Sequence, residues 1–197
     1  AAGWSVAQQV GGEPLHPAEA IQADLALTAA VSRLPPGWRD APGLDVVVDW
    51  RDDLPGDVHG RAFGTHLRMR RSLLADAGEA QALQRALLHE FAHRYDHSPH
   101  GGLSRDPRLL DLAGWPQRPL RLGLRVRDNA MRDRSPDAYE RTAPAEFVAV
   151  NLEYFLLDAE YACRRPALHA YFAAHFGWAP PQVDCAPELP FVEAQPE

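Results

Sequence analysis

The chain has 197 residues and a formal charge of −7 at pH 7, with 46% hydrophobic and 24% charged residues. These values are typical of one soluble folded domain, and no apolar run approaches the roughly 20 residues of a membrane span. The acidic balance argues against nucleic acid as the main partner, because phosphate binding needs a concentrated basic surface.

The first half of the chain predicts a helix, two strands and a second helix. Residues 1–16 show no clear period, and a helical pattern then runs over 17–34 until a Pro-Pro-Gly sequence stops it. Residues 44–50 predict a buried strand, and the rough alternation over 62–69 predicts a further one. Residues 79–96 have the apolar spacing of a largely buried helix. The second strand should lie at a cleft edge, where its backbone could pair with an extended peptide.

The second half is loop-rich before two further helices. A short helix is possible at 108–113, and the arginine-dense stretch 118–134 favours a solvated loop over a phosphate site. Thr142 and Pro144 predict the start of a second long helix, with Thr142 as its N-cap. A final helix over 166–176 should end at Gly177, before a Pro-rich tail over 177–197. We expect one α+β domain over 1–197, with its core at about 44–176 and a small mixed sheet.

The run His89-Glu90-Phe91-Ala92-His93 is the most informative pattern in the chain. Positions i and i+4 lie on one face of a helix, so both imidazoles can reach one metal ion. A hydrolytic zinc site takes three protein ligands and leaves a fourth position for water. The pattern therefore predicts one Zn²⁺ bound by His89 and His93, with Glu90 placed to take a proton from that water.

The third ligand must come from another part of the chain. Glu146 is favoured, because it lies in the first turn of an apolar helix where an unpaired buried carboxylate would be costly. Glu153, two turns further along the same helix, is the rival, or it could accept a hydrogen bond from a ligand imidazole. His97 is a weaker rival, since three ligands from one helix do not easily converge on one ion.

Two further side chains could support the site. Asp96 lies one turn beyond His93 and could accept the second ring N–H of a ligand imidazole; an exposed aspartate at a helix end is the alternative. Tyr139 precedes Glu146 by seven residues, and its hydroxyl could donate to the oxyanion formed during attack on a carbonyl.

The two cysteines and the first residues of the chain suggest where in or outside the cell the protein is located. Cys163 and Cys185 flank the start of the tail and could form a disulfide, although two unrelated buried thiols are the alternative. The opening Ala1-Ala2-Gly3 is typical of a mature product cut after small residues. A fragment trimmed at a domain edge would begin in the same way. We expect a periplasmic or secreted protein.

Taken together, these motifs resemble the zinc peptidases with a glutamate third ligand, the gluzincins. Within that group the chain resembles the Mlc titration factor A family of bacterial peptidases, over about residues 60–175. The matching segments are Leu88-His89-Glu90-Phe91-Ala92-His93 with Asp96, Tyr139-x-x-Thr142-x-Pro144-Ala145-Glu146-Phe147, Glu153-Tyr154-Phe155, and Pro166-x-Leu168-x-x-Tyr171. The sequence Cys163-Arg164-Arg165-Pro166 is also similar to a segment of uncharacterised bacterial envelope proteins.

The resemblance implies a zincin-like fold, with the active-site helix packed against the second long helix. It implies zinc on His89, His93 and Glu146, with Glu90 as general base, Tyr139 as electrophilic helper and Asp96 as a support for the ligands. That family is cytosolic and binds a transcriptional repressor, and those roles are not carried over to a chain with an expected disulfide.

We therefore expect a zinc metallopeptidase that cleaves a peptide or protein substrate. One alternative is a zinc-containing protein-binding or cell-wall-binding module without turnover. A fourth protein ligand such as His97 or Asp137 would favour that module, whereas an open coordination position would favour the enzyme. A further alternative is an amidase or endopeptidase that acts on peptidoglycan. Oligomeric state does not follow from the residues.

Overall fold

A four-stranded mixed sheet forms one layer of the protein. The computed structural model describes residues 6–41, 43–75, 78, 80–113 and 138–185. The strands are β1 (Val6–Val10), β2 (Val46–Arg51), β3 (Gly60–Phe63) and β4 (His66–Arg70), in the order β1-β2-β4-β3 across the sheet. β2 is parallel to both β1 and β4, whereas β3 is antiparallel to β4 and forms an edge.

The strands depart from the sequence prediction in two places. The single strand expected over 62–69 is instead a hairpin, because Gly64 adopts a positive φ of 57° and turns the chain between β3 and β4. Only glycine adopts this conformation at little steric cost. β1 was not predicted, because its three central residues are exposed and polar or small and therefore give no apolar alternation.

Five of the helices lie close to their predicted bounds, two one-turn helices (Pro36–Arg39 and Tyr161–Arg164) were not predicted, and the expected α+β class is confirmed. They are α1 (Pro17–Arg33), α2 (Pro36–Arg39), α3 (Ala80–Asp96), α4 (Pro107–Ala113), α5 (Pro144–Leu157), α6 (Tyr161–Arg164) and α7 (Pro166–Phe176). Short 3₁₀ turns occupy Arg71–Leu74, Leu103–Arg105 and Ala138–Arg141. As expected, Gly177 ends α7 with a positive φ of 60°.

The core lies around α3, which contacts the sheet, α1 and α5. Leu87, Leu88 and Phe91 of α3 are fully buried, as are Leu67 and Met69 of β4. Each such side chain contributes roughly 1.5–3 kcal/mol through removal from water. Most of α5 is buried as well. The two helices that carry the predicted metal ligands are therefore fixed by the core.

The start of the tail is attached to the helical layer. Cys163 of α6 forms a disulfide with Cys185, as predicted. The backbone N–H of Val183 donates to the carbonyl of Ala159, and the Gln182 side chain contacts the same region. The remainder of the tail, over 186–197, lies outside the described residues, as do the stretch 118–134 and Asp137. No helix in the described part of the chain is long and apolar enough to cross a membrane.

Candidate metal centre

Two imidazoles of α3 converge on one point. His89 and His93 lie one turn apart on the helix, and their Nε2 atoms are 3.1 Å from each other. Both side chains are largely buried, and both line the same cavity. The i, i+4 spacing predicted this shared direction, because such residues lie above one another on a helix.

Glu146 brings a carboxylate to the same point from α5. Its Oε2 lies 3.0 Å from Nε2 of His89 and 3.1 Å from Nε2 of His93. Pro144 opens α5, so Glu146 lies in the first turn, where the partial positive charge of the helix N-terminus stabilises a carboxylate. Packing of α5 against α3 thus unites three residues that are up to 57 positions apart in the chain.

These three atoms fit the ligand set of a divalent metal. His89, His93 and Glu146 form a group whose ligand atoms all lie within 4.8 Å of one another. Tetrahedral zinc with bonds of about 2.0–2.1 Å holds its ligand atoms about 3.3 Å apart, close to the separations here. Two imidazole nitrogens and one carboxylate oxygen are a ligand set that suits zinc in a hydrolytic site.

The opposite ring nitrogen of His89 also has a carboxylate partner. Nδ1 of His89 lies 2.5 Å from Oε1 of Glu153, and the Glu153 Oε2 accepts hydrogen bonds from Arg85. When Nδ1–H of a neutral ring donates to Glu153, Nε2 carries no hydrogen and its lone pair can bind a metal. This is the tautomer that a metal needs. Glu146 rather than Glu153 thus joins the group of atoms that could hold a metal, and Glu153 lies behind the His89 ring.

The carboxylates of Glu146 and Glu153 stabilise a positive charge at His89. Burial opposes protonation of this ring, but hydrogen bonds to Glu146 and Glu153 outweigh it and raise the pKa of His89 to about 10. Burial likewise opposes ionisation of Glu146, and its contacts with His89 and His93 nevertheless hold its pKa well below the usual range. A bound divalent cation would replace the proton in this anionic environment.

Glu90 lies beside the three atoms with one oxygen unsatisfied. The side chain is 6% exposed, and its Oε2 has no hydrogen-bond partner among the described residues. The backbone N–H of Ala62 donates to the carboxylate, and burial raises its pKa. A buried, unpaired carboxylate oxygen is costly unless a water or ligand contacts it.

The edge strand holds Glu90 at close range. A Cβ atom built on Gly60 of β3 would lie 2.8 Å from Cγ of Glu90 and 2.8 Å from Sδ of Met69. Real Cβ atoms do not approach so closely, so a side chain at position 60 would displace its neighbours. The missing side chain of Gly60 therefore allows Glu90 to lie against β3.

Two adjoining cavities form a groove beside the three converging atoms. One cavity of about 580 Å³ contains all three ligands and extends towards Arg94 and His97. A second cavity of about 540 Å³ extends towards Asp57 and Arg85. The two share Val58, Gly60, His89, Glu90 and Tyr139. The two cavities therefore adjoin at His89 and at Gly60 of β3.

Tyr139 lines both cavities of this groove. Its ring centroid lies 6.1 Å from that of His89, and 51% of the residue is exposed. The residue belongs to the 3₁₀ turn just before α5, so the structure brings it to the predicted site. A tyrosine hydroxyl can both donate and accept a hydrogen bond.

Asp96 does not support the ligand histidines, and that prediction is wrong. Its Oδ1 accepts the backbone N–H of Ser104 at 2.9 Å, and its own carbonyl accepts the N–H of Gly102. The loop after α3 folds back towards the C-terminal end of the helix, and the backbone N–H of Ser104 in this loop donates to the buried Asp96 carboxylate. Asp96 fixes the exit of α3 instead.

Thr142 is likewise not the N-cap of α5. Ala143 occupies that position without a side-chain hydrogen bond. The Thr142 hydroxyl instead donates to the carbonyl of Tyr139 at 2.8 Å, which closes the turn before the helix. The Nδ1–H of His97 donates to the carbonyl of His93 at 2.8 Å, and His97 is not one of the three described residues whose ligand atoms lie within 4.8 Å of one another.

Sequence reasoning missed two residues of this site. Arg85 precedes His89 by four positions, so helical spacing could have placed it on the same face and identified it as a partner of Glu153. Gly60 gave no comparable signal, because its role depends on the close approach of α3 to β3.

Comparison with known proteins adds one match. The family described as "Domain of unknown function (DUF7844)" matches residues 97–185. The matched part contains Tyr139, Glu146 and Glu153, whereas His89, Glu90 and His93 precede it. No curated protein and no solved structure matches the chain.

Proposed function

We propose that this protein is a zinc-dependent peptidase that hydrolyses peptide bonds in a zincin-like fold. The observation that carries the proposal is the meeting of His89, His93 and Glu146 at 3.0–3.1 Å beside the unpaired Glu90 Oε2. A structural zinc site is usually closed by four protein ligands, whereas this group of three opens on a groove. The groove supports an extended substrate such as a peptide.

His89, His93 and Glu146 would hold the zinc, which would supply a Lewis acid that lowers the pKa of a water from about 15.7 to about 7 and polarises a carbonyl. Glu90 accepts the proton of the attacking water through Oε2 and later gives it to the leaving amine. Its raised pKa suits this exchange, because a base that must also act as an acid works best with a pKa nearer neutrality.

Two other side chains support this reaction. Glu153 accepts the Nδ1–H of His89, so that when a metal replaces the proton on Nε2 the ring is already held with Nε2 at the ligand position. Tyr139 donates its hydroxyl hydrogen to the oxygen that gains negative charge when the carbonyl is attacked. Neither role requires movement of the two helices.

The disulfide favours an oxidising compartment, so we propose a periplasmic or secreted location. A peptidoglycan amidase or endopeptidase is a more specific form of the same hydrolase. A zinc-containing binding module without turnover is less well supported, because His97 is not among the described residues whose ligand atoms converge. Asp137, the other candidate fourth ligand, lies outside the described residues.

Substitution Glu90→Gln tests the assignment of the base. The isosteric amide keeps the shape of the site but cannot accept the proton, so we expect kcat to fall by roughly 10²–10⁴-fold. The zinc content should stay at the parental level, since Glu90 is not a ligand. The assay is cleavage of a fluorescent peptide library with and without a chelator, together with metal analysis.

Glu13→Gln is the matched control, because Glu13 is exposed and distant from the groove. This variant should cleave at the parental rate. Cleavage by Glu90→Gln at the same rate would exclude Glu90 as the base. A parental protein that binds zinc but cleaves nothing would favour the binding module.

A further inference from the structure

A buried ion pair lies directly behind the turn that carries Tyr139. The Glu140 side chain accepts two hydrogen bonds from Arg165, at 2.8 Å and 2.9 Å. Glu140 is only 2% exposed and Arg165 4%. This paired geometry is the strongest form of a guanidinium–carboxylate contact, and it fixes direction as well as distance.

Asn151 and Tyr161 extend the pair into a buried polar network. The Asn151 amide donates to Glu140 at 3.0 Å, and its oxygen accepts hydrogen bonds from Arg165 and from the Tyr161 hydroxyl. All four residues are buried. The network connects the 3₁₀ turn, α5, α6 and the junction before α7.

Stability alone does not explain a charge pair at this position. The desolvation of two buried ions largely cancels their attraction, and apolar residues of similar volume are often as stabilising or more so. In some proteins a buried polar or ionic group instead fixes a single arrangement of the segment that carries it. Here that segment is a short turn at the rim of the groove.

The two neighbours in this turn have opposite environments. Glu140 is enclosed, whereas Tyr139 is 51% exposed and lies 6.1 Å from the His89 ring, centroid to centroid. The carbonyl of Tyr139 is further fixed by both the N–H and the hydroxyl of Thr142. Any rotation of the turn that released Glu140 would therefore also move the tyrosine ring.

We propose that Arg165 is a positioning residue, which holds Tyr139 over the metal centre by anchoring Glu140. Arg165 lines neither of the two cavities described above and lies 26 positions from Tyr139 in sequence, so it acts through the turn that carries Glu140. The importance of this position for catalysis rests on the proposed peptidase function. The anchoring itself does not, and it can be measured without turnover.

The first experiment locates the Tyr139 ring directly. The protein is labelled with 3-fluorotyrosine, and its ¹⁹F spectrum is recorded metal-free and with Co²⁺, with the Tyr139 resonance identified by its loss in Tyr139→Phe. We expect a Co²⁺-induced shift of this resonance that Arg165→Met and Glu140→Gln reduce by at least half. The metal-free resonance, which senses the neighbouring His89 ring, should also move in both variants.

Tyr161→Phe is the matched control, because it removes a hydrogen bond from the same network without touching the Glu140–Arg165 contact. Its Tyr139 resonance should keep the parental position in both spectra. An unchanged resonance in Arg165→Met and Glu140→Gln would overturn the proposal. So would an equal displacement in Tyr161→Phe, since Arg165 would then only maintain the general fold.

The second experiment is a kinetic double-mutant cycle. We expect Arg165→Met to lower kcat by roughly 10–100-fold with little change in KM, as for other small misplacements of a reacting group. The same substitution should have no further effect on kcat in a Tyr139→Phe background, because the two changes remove one function. Arg165→Lys, which keeps the charge, should restore part of kcat.

The outcomes separate this proposal from the peptidase function. If the losses in kcat of the Arg165 and Tyr139 variants are additive, Arg165 does not act through Tyr139 and the proposal is overturned. If Arg165→Met does not fold, Glu140→Gln and Arg165→Lys decide the result by the same spectra. A parental protein without chelator-sensitive cleavage would remove the peptidase function, while displacement of the fluorine resonance would still support the anchoring.

Discussion

At the scale of single residues, the candidate site is a set of carboxylates with separate tasks. Glu146 faces the ligand position, Glu153 holds the far side of the His89 ring, and Glu90 keeps one oxygen unpaired. Their types and helical spacing were visible in the sequence. The division of tasks between Glu146 and Glu153 was not, because it depends on which turn of α5 faces His89.

Glu153→Gln should weaken zinc binding. The amide loses the charge that favours the required tautomer of His89 and also loses the ionic contact with Arg85. Loss of such a supporting partner typically reduces metal affinity by about 10–100-fold. Competition with a chromophoric chelator measures this change. Glu160→Gln, at an exposed position outside the groove, should keep the parental affinity, and an equal affinity in Glu153→Gln would exclude the supporting role.

Gly60→Ala should impair catalysis without loss of metal. The new methyl group would meet Cγ of Glu90 and Sδ of Met69 at 2.8 Å, so the base must shift. A displacement of about 1 Å can cost roughly 10²-fold in rate. We expect a fall in kcat of this order, measured by peptide cleavage, with zinc content unchanged. Gly37→Ala is the control, because its methyl group meets no atom within 4 Å; equal rates in both variants would contradict the steric argument.

At the scale of elements, helices were predicted better than strands. Proline at the first turn and glycine after the last residue mark the ends of α7, and these are local signals. The hairpin of β3 and β4 was read as one strand, because alternation continues through Gly64 and only its positive φ separates the two. Strand pairing is decided by residues distant in sequence, which periodicity does not report.

The contact between α4 and α7 should depend on pH. Asp106 accepts hydrogen bonds from Arg108 and from the Tyr171 hydroxyl, and these contacts hold its pKa well below the usual range. A depressed folded pKa adds stability that is present above the unfolded pKa of about 3.9 and is lost as the pH falls through the folded value. Tyr171→Phe removes one of the two contacts.

We expect Tyr171→Phe to lower the free energy of unfolding by about 1.5–3 kcal/mol at pH 7, as for a hydrogen bond to a charged group. The difference from the parental protein should shrink as the pH falls below about 4. Urea unfolding between pH 3 and pH 7 measures both values. A difference in unfolding free energy that is the same at every pH would mean that the Tyr171 hydroxyl does not stabilise the protein through Asp106.

At the scale of the whole molecule, the candidate metal centre connects two helices from distant parts of the chain. His89 and His93 belong to α3, whereas Glu146 belongs to α5. A metal that binds only the packed arrangement must stabilise that packing by linkage. Zinc binding and global stability should therefore change together.

Removal of zinc should lower the melting temperature. At free zinc 100 times Kd, binding adds about 2.7 kcal/mol, which corresponds to roughly 5–10 °C for a chain of this length. Thermal unfolding with zinc and with chelator measures the difference. Glu146→Gln should show a much smaller response to zinc, since it lacks the ligand from α5. An identical response in this variant would exclude Glu146 as a ligand.

The sequence by itself determined the α+β class, the principal helices, the histidine pair and the candidate disulfide, because caps, period and residue type act over short distances. It also named Glu146 and Tyr139 as members of the site. Only the tertiary structure decided the rest: the role of Glu153, the place of Asp96, the need for Gly60 and the anchor formed by Arg165. Each of these depends on which surfaces meet when α3, α5 and β3 pack together, and that choice is made by the whole core.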